Sequence, residues 1–262
     1  MQAKGMQARR AGLLHGWMWL KQGLWLFKRN PFLWMFLTSI LVVGTAGMAM
    51  LPILGGFLLA VLFPAFFAGL MLGCHALAED KELELRHLFS GFQTHGTPLI
   101  SLGVASMVIK LLLANAVILA GGDALVNQMV AAMQAENADA MLHALSEAGI
   151  MFPVYLVLST VLQTSVFFAA MLIVFRGATP LASLLAAVRA TLVNALPLLV
   201  YGLMLLPLAA LASMPLMLGW LVLLPIIITS QYAIYRDLFP MQKDLQAAAG
   251  AGARPDDQPP SA

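Results

Sequence analysis

One basic residue interrupts a long apolar stretch of this sequence. Between Leu99 and Gly122 the only charged residue is Lys110. A lysine at the centre of a bilayer costs about 2.5–3.5 kcal/mol on insertion scales, and residues of this kind usually mark functional sites. Its chemistry would be the binding of an anion or the exchange of a proton.

Polar residues that could surround Lys110 occur at helical spacing. Gln163, in another apolar stretch, would lie at a comparable depth, with Ser159 and Thr160 one turn away, and Ser106 shares the Lys110 face. Because no apolar stretch contains a carboxylate, two interpretations stay open. One is a polar site between two helices, and the other is a lysine that bonds to carbonyl groups or extends toward the headgroups.

Five residues of types that bind zinc occur between positions 74 and 95: Cys74, His75, Glu79, His87 and His95. Their spacing matches no standard zinc site. A single cysteine excludes an intramolecular disulfide. We therefore expect no metal site and no cofactor.

The sequence contains no G-x-S-x-G, HExxH or P-loop motif. Its connections are too short to bring a nucleophile, a base and an orienting group together. The formal net charge of +2 does not indicate a basic surface for binding nucleic acid. We expect neither enzymatic activity nor a nucleic-acid partner.

The composition places these residues in a membrane. Hydrophobic residues make up 61% and charged residues 10% of the chain, whereas soluble domains are about a quarter charged. Residues 30–78, 148–175 and 190–235 contain no charge. A spanning helix needs about 20 residues, so the longest stretches must fold back as hairpins. The sequence predicts an all-α membrane bundle of six helices in three hairpins, at about 32–52, 57–78, 99–121, 150–175, 193–213 and 216–236.

The basic residues predict the orientation of these helices. Thirteen of the 14 Lys and Arg lie on the chain ends and on two connections, and the three alternate connections have none. Connections rich in Lys and Arg stay cytoplasmic, so both termini are predicted to be cytoplasmic. The first apolar run begins only after about 30 residues and lacks a signal-peptidase site. We expect a multi-pass protein of the bacterial inner membrane.

Residues 1–30 are predicted to form a cytoplasmic arm that precedes a membrane domain at 31–239. Apolar residues recur at helical spacing there, which favours an amphipathic helix lying on the inner leaflet, next to anionic phospholipids. A regulatory or partner-binding role stays open. The predicted interfacial anchors are Trp17, Trp19, Trp25, Trp34, Lys28 and Arg29.

Other segments are predicted more coarsely. Residues 85–92 could form a short helix docked on the inner face, residues 123–149 lie outside, and residues 240–262 form a disordered tail. Gly69 and Gly73 are four residues apart, which favours close packing against another span of this chain; a homodimer stays open.

The first and last hairpins show similar sequence positions. Asn30-Pro31 and Asn194 to Pro197 open them, Pro52 and Pro215 close their first helices, and Pro64 and Pro225 lie in their second helices. Thr97-Pro98 is also similar to Thr179-Pro180. This pattern favours a parallel internal repeat.

Several motifs resemble an uncharacterised family of bacterial six-helix inner-membrane proteins. The resemblance implies an integral membrane protein with no assigned reaction, and it implies no catalytic or binding residue. The motifs are Gly16-Trp17-Met18-Trp19, Gly23-Leu24-Trp25-Leu26-Phe27-Lys28-Arg29-Asn30-Pro31, Pro64 with Ala68-Gly69-Leu70-Met71, His87-Leu88-Phe89-Ser90-Gly91-Phe92 and Tyr232-Ala233-Ile234-Tyr235-Arg236-Asp237-Leu238-Phe239.

Two functions follow as expectations. The first is a non-enzymatic structural, lipid-interacting or complex-forming component, whose partners are the lipid bilayer, other membrane proteins or a second copy of this chain. The alternative is a transporter or channel for a small solute or ion that uses Lys110 and Gln163.

Overall fold

The structure, a computed structural model, describes residues 8–51, 54–119, 123–135, 137–147 and 149–240. Of these residues 84% are helical and none lies in a strand, so the all-α prediction is confirmed. The turn at Pro52 and the tail after Pro240 lie outside the described residues. The helices are α1 (His15–Arg29), α2 (Pro31–Ala49), α3 (Leu54–Ala78), α4 (His87–Val117), α5 (Asp123–Gln134), α6 (Ala138–Glu147), α7 (Met151–Arg176), α8 (Pro180–Val193), α9 (Ala195–Ser213) and α10 (Trp220–Leu238).

Six of the described helices are long and apolar enough to cross a membrane: α2, α3, α4, α7, α9 and α10. They agree with the six predicted spans to within a few residues at most ends. Many of their outward-facing side chains are apolar and exposed, including Phe32, Leu112 and Leu196. So many large apolar side chains exposed on spanning-length helices are rare on soluble proteins and indicate contact with lipid.

The largest departure from the predicted spans is at α4, which begins at His87 rather than near residue 99. Its backbone bends at His95 (φ −142°, ψ 39°), so it consists of two helical segments. The short helix expected at 85–92 therefore corresponds to the first segment of α4, which precedes the bend at His95. Leu88 is buried, while Leu85 and Phe89 stay about half exposed.

The connection after α7 contains a helix that the six-span prediction treated as a loop. Gly177 ends α7 in the left-handed conformation (φ 60°), which favours glycine because it has no Cβ. Pro180 then occupies the first turn of α8, where its missing N–H costs nothing. At 14 residues α8 is too short to cross a bilayer.

One arrangement occurs three times along the chain: a shorter helix, a break and two spans. The shorter helices are α1, the first segment of α4, and α8, and the breaks are Asn30, His95 and Asn194. The first and last hairpins, whose similar sequence positions favoured an internal repeat, belong to the first and third of these units. Thr97-Pro98 and Thr179-Pro180 are not equivalent, because the first pair follows the break at His95 and the second opens α8.

The three units contact each other in a ring. The most extensive contacts among the described helices join α3 to α4, α7 to α8 and α10 to α1. In each case the last helix of one unit packs against the shorter helix of the next. Further contacts join α2 to α3, α4 to α7 and α9 to α10, the pairs predicted as hairpins.

Both described ends of the chain lie at the same end of the bundle. The backbone N–H of Arg9 donates to the carbonyl of Leu238 over 2.8 Å, and Arg176 of α7 donates to the carbonyl oxygens of Phe239 and Pro240 over 3.1 and 3.0 Å. That this end faces the cytoplasm stays a prediction from the charge distribution.

Glycines bring the helices of this ring into backbone contact. A Cβ atom on Gly69 of α3 would overlap the His87 carbonyl oxygen of α4, and one on Gly91 would overlap the Ala65 carbonyl oxygen of α3. Gly23 of α1 lies equally close to Ser230 of α10. The Gly69 face therefore packs against a helix of the same chain, as its spacing predicts.

We expect Gly69→Ala to destabilise the protein by about 1–3 kcal/mol, because the added methyl group must displace backbone. The matched control is Gly44→Ala in α2, where nothing lies within 4 Å of a built Cβ. That substitution should be neutral or stabilise the helix by up to about 1 kcal/mol. Equilibrium unfolding in mixed micelles measures both, and equal effects of the two substitutions would show that the close approach of α3 and α4 is unimportant.

Candidate functional site

The polar pair predicted inside the membrane is in contact. Lys110 Nζ of α4 donates to Gln163 Oε1 of α7 over 2.7 Å, and both side chains are half-buried. The amide oxygen thus supplies a partner for Lys110, which makes no ion pair with any carboxylate among the described residues. The contact joins two neighbouring helices and satisfies a polar group that would be costly alone.

The other three residues predicted around Lys110 are not brought to it. The Ser106 hydroxyl is buried and donates to the Gly103 carbonyl of its own helix over 2.8 Å. Ser159 is half-buried and Thr160 is exposed, and no hydrogen bond joins either to Lys110 in the described structure. The predicted site is therefore a pair of residues rather than a polar pocket.

In the described part of the chain, the residues of types that bind zinc do not form a metal site and instead contact other side chains. His75 Nδ1 lies 2.8 Å from the Tyr232 hydroxyl of α10, and its Nε2 lies 3.6 Å from Glu79 Oε1. Cys74 is buried. Among the described residues, no three His, Cys, Asp or Glu side chains come together in a way that could hold a metal ion.

The anchor prediction is wrong for two of the four tryptophans. Trp19 and Trp34 are 0% exposed, so their rings lie inside the protein and cannot contact headgroups. The face of α1 that carries Trp19 packs on α9 and α10. Trp17 and Trp25 are about half exposed and remain available to lipid.

The exposed face of α1 alternates aromatic and basic side chains. Trp17, Lys21, Trp25 and Lys28 follow one another at intervals of three or four residues and are all exposed. Lys21 Nζ lies 5.1 Å from the centroid of the Trp17 ring. Rings with neighbouring cations are typical of the headgroup region of a membrane.

Arg29 has a second role besides the predicted anchor. Its guanidinium lies 4.1 Å from the Trp25 ring centroid and donates to the Leu77 carbonyl over 2.7 Å. It also pairs with Asp80. These contacts attach the end of α1 to the end of α3.

Asp237, at the end of α10, fixes α1 to the bundle and was not predicted as a site. Its Oδ2 accepts from Trp19 Nε1 over 2.8 Å and lies 2.6 Å from His15 Nδ1. Its Oδ1 lies 3.5 Å from the Arg9 guanidinium. The sequence feature that could have singled it out is its isolation, because no Asp or Glu occurs between Glu147 and Asp237.

Asn194 makes a second attachment for the segment before α1. Its Oδ1 accepts from the backbone N–H of Ala11 over 2.8 Å, and its Nδ2 donates to the Arg9 carbonyl over 3.2 Å. The side chain is fully buried at the break between α8 and α9. The arm is therefore attached to the third unit through both Asn194 and α10.

A cavity opens between α1, α10 and the end of α3. Its volume is about 450 Å³. Polar lining comes from Arg9, Gln22, Tyr232, Arg236 and Asp237, while Trp25 and Leu26 supply an apolar wall. This cavity lies beside the exposed face of α1, since Trp25 belongs to both.

The chain is similar to a protein of Burkholderia thailandensis named as a probable inner membrane protein. The two are 31% identical over 93 residues, which is 35% of this chain and 34% of that protein. The matched segment spans about a third of the relative's length. No protein-family model matches the chain, and no solved structure matches it.

This relative and the six spans agree with the resemblance to bacterial inner-membrane proteins without an assigned activity. The chain is a multi-pass protein of the inner membrane.

Asp237→Ala should release α1 from the bundle. It removes two short hydrogen-bonding contacts and an ion pair from a carboxylate that is 17% exposed, so we expect a loss of about 2–4 kcal/mol. Amide hydrogen exchange in His15–Arg29 should become faster. The control is Asp80→Asn, which removes the charge of a carboxylate that is 81% exposed and keeps a residue type that tolerates the left-handed backbone there (φ 59°); it should cost less than about 1 kcal/mol. Unchanged exchange in α1 after Asp237→Ala would contradict this role.

Proposed function

We propose that this protein is a non-enzymatic, lipid-interacting component of the inner membrane that uses α1 to engage the inner leaflet. The observation that carries the proposal is the pair of opposite faces of α1. One face is packed on α9 and α10, and the other exposes Trp17, Lys21, Trp25 and Lys28. A helix built in this way can transmit lipid contact to the bundle.

The electrostatics of the arm support this function. The first 30 residues carry six Lys and Arg and no Asp or Glu. Near an anionic leaflet each such residue contributes about 1 kcal/mol of attraction. The tryptophan rings favour the same depth, so charge and apolar burial act together on one helix.

The attachment of α1 supports a structural rather than a merely anchoring role. Thr229 of α10 donates to the Gly23 carbonyl over 2.8 Å, and about two turns further along α10 Asp237 contacts Trp19. A lipid-dependent change in the position of α1 would therefore act directly on α10. Other membrane proteins or a second copy of this chain could bind the same assembly as partners.

The test compares nanodiscs of phosphatidylcholine with nanodiscs that also contain phosphatidylglycerol. We expect the anionic lipid to slow amide exchange in α1 of the wild-type protein. Lys21→Gln with Lys28→Gln should abolish about 2 kcal/mol of that protection, at about 1 kcal/mol for each lysine.

The matched control removes the same charge elsewhere. Lys81→Gln with Arg86→Gln changes two basic residues that already pair with Glu79 and Glu84, and it should leave the lipid effect on α1 intact. If both double variants behave alike, or if exchange in α1 does not depend on phosphatidylglycerol, the proposal fails.

A second candidate function rests on the 2.7 Å contact between Lys110 and Gln163. We propose as the alternative that this pair serves the passage of a proton or a small anion between α4 and α7. The contact brings a cation and a neutral polar group together within the spanning segments, where polar side chains are costly and commonly line transport routes.

Proteoliposomes that enclose a pH-sensitive dye test this alternative. After an imposed pH step, the wild-type protein should speed internal pH change relative to protein-free vesicles, and Lys110→Met should lower this excess rate by about tenfold. Lys81→Met, which removes a lysine from an exposed connection, is the control and should have no effect. Repeating the assay with a chloride gradient and a chloride dye covers the anion. Rates unaffected by Lys110→Met in both assays would eliminate the transport role.

A further inference from the structure

We infer that the cavity between α1, α10 and the end of α3 is a binding site for the headgroup of an anionic phospholipid, with its phosphate held by Arg9 and Arg236. This inference rests on the proposed function, in which α1 lies in the inner leaflet. It goes further by assigning a defined site and a ligand class.

The size and position of the cavity fit a headgroup. Its volume of about 450 Å³ lies within the range of about 300–1,000 Å³ that is usual for small-molecule sites. It lies at the ends of α3 and α10, where the described ends of the chain also meet. A headgroup that entered there would lie at the level of the polar ends of the spans.

Among the described residues that line the cavity, the charged ones are Arg9, Arg236 and Asp237. The carboxylate of Asp237 already has partners in Trp19, His15 and Arg9, and two arginines against one aspartate leave this lining with a net positive charge. Arg9 is 58% exposed, and its contact with Asp237 is long at 3.5 Å. An arginine has five N–H donors, and therefore Arg9 keeps donors for a phosphate.

Arg236 of α10 supplies the second cation in the lining. Its side chain is half-buried. A phosphate suits arginine because its oxygens accept parallel hydrogen bonds from one guanidinium. Two arginines favour a headgroup with net negative charge over a zwitterionic one, whose ammonium they would repel.

The surroundings of the cavity favour a lipid over a soluble phosphate compound. Trp25 and Leu26 form an apolar wall, and Trp25 continues into the exposed face of α1 with Trp17 and Lys28. That face is expected to be in contact with the leaflet, which presents anionic headgroups at high local concentration. Basic cavities between helices on the cytoplasmic side of a membrane are known to take such headgroups.

The decisive variant is Gln22→Glu, which places a carboxylate on the wall of the cavity without changing side-chain size. Gln22 is exposed on α1, so the fold should tolerate the change. The matched control is Gln128→Glu on α5, an exposed position in a different cavity lining. A second pair compares Arg236→Gln, which removes the cation, with Arg236→Lys, which keeps it.

The experiment titrates the full-length, detergent-solubilised protein with dioctanoyl phosphatidylglycerol, with dioctanoyl phosphatidylcholine and with inorganic phosphate. We expect saturable binding of the phosphatidylglycerol and binding at least about tenfold weaker for the other two probes. Gln22→Glu should weaken phosphatidylglycerol binding by about tenfold through like-charge repulsion. Arg236→Lys should bind more tightly than Arg236→Gln, and Gln128→Glu should bind as the wild type does.

Equal affinity for the phosphatidylcholine would overturn the charge-based site, and equal affinity for inorganic phosphate would overturn the lipid source. Equal behaviour of Gln22→Glu and Gln128→Glu would overturn the location. The outcome is separable from the proposed function. If Lys21 and Lys28 control α1 protection while Gln22→Glu has no effect on binding, only this site is rejected.

Discussion

In hydrocarbon, a backbone N–H or C=O group without a partner costs several kcal/mol, and no water is present to supply one. The chain meets this constraint with helices whose backbone groups pair within each segment. Its breaks at Asn30, His95 and Asn194 each precede a helix that is long and apolar enough to span the membrane. The shorter helices before these breaks cover the ends of the spans and supply the contacts that join the units.

Polar side chains hold helices together where the hydrophobic effect is weak. Between helices in lipid there is little hydrophobic driving force, so close packing and hydrogen bonds decide which helices associate. Gly69, Gly91 and Gly23 allow the close approaches, while Asp237 and Asn194 attach the first helix and the segment before it to the last unit. These contacts join parts of the chain that are far apart in sequence, and they place α1 beside the basic cavity.

The sequence was sufficient to predict the contact between Lys110 and Gln163, but not the hydrogen bonds of the hydroxyl groups expected around it. Lys110 and Gln163 each stand out in an apolar stretch, and matching their depths was enough to pair them. Ser106, Ser159 and Thr160 were also placed nearby by depth and helical angle, but depth does not determine which way a hydroxyl bonds. Ser106 bonds to its own helix instead, as hydroxyl groups in helices often do.

The sequence by itself determined the number, order and approximate ends of the six spans. The length of an uncharged segment is a local property of the sequence, and the thickness of the bilayer sets how many residues a spanning helix needs. Only the tertiary structure decided which faces of those helices are inside. Lipid is as apolar as leucine, so composition does not distinguish a face packed on protein from one packed on lipid. Trp19 and Trp34 are buried while Trp17 and Trp25 are exposed for reasons that lie on other helices: Trp19 meets Asp237, more than 200 positions away. No local pattern carries that information.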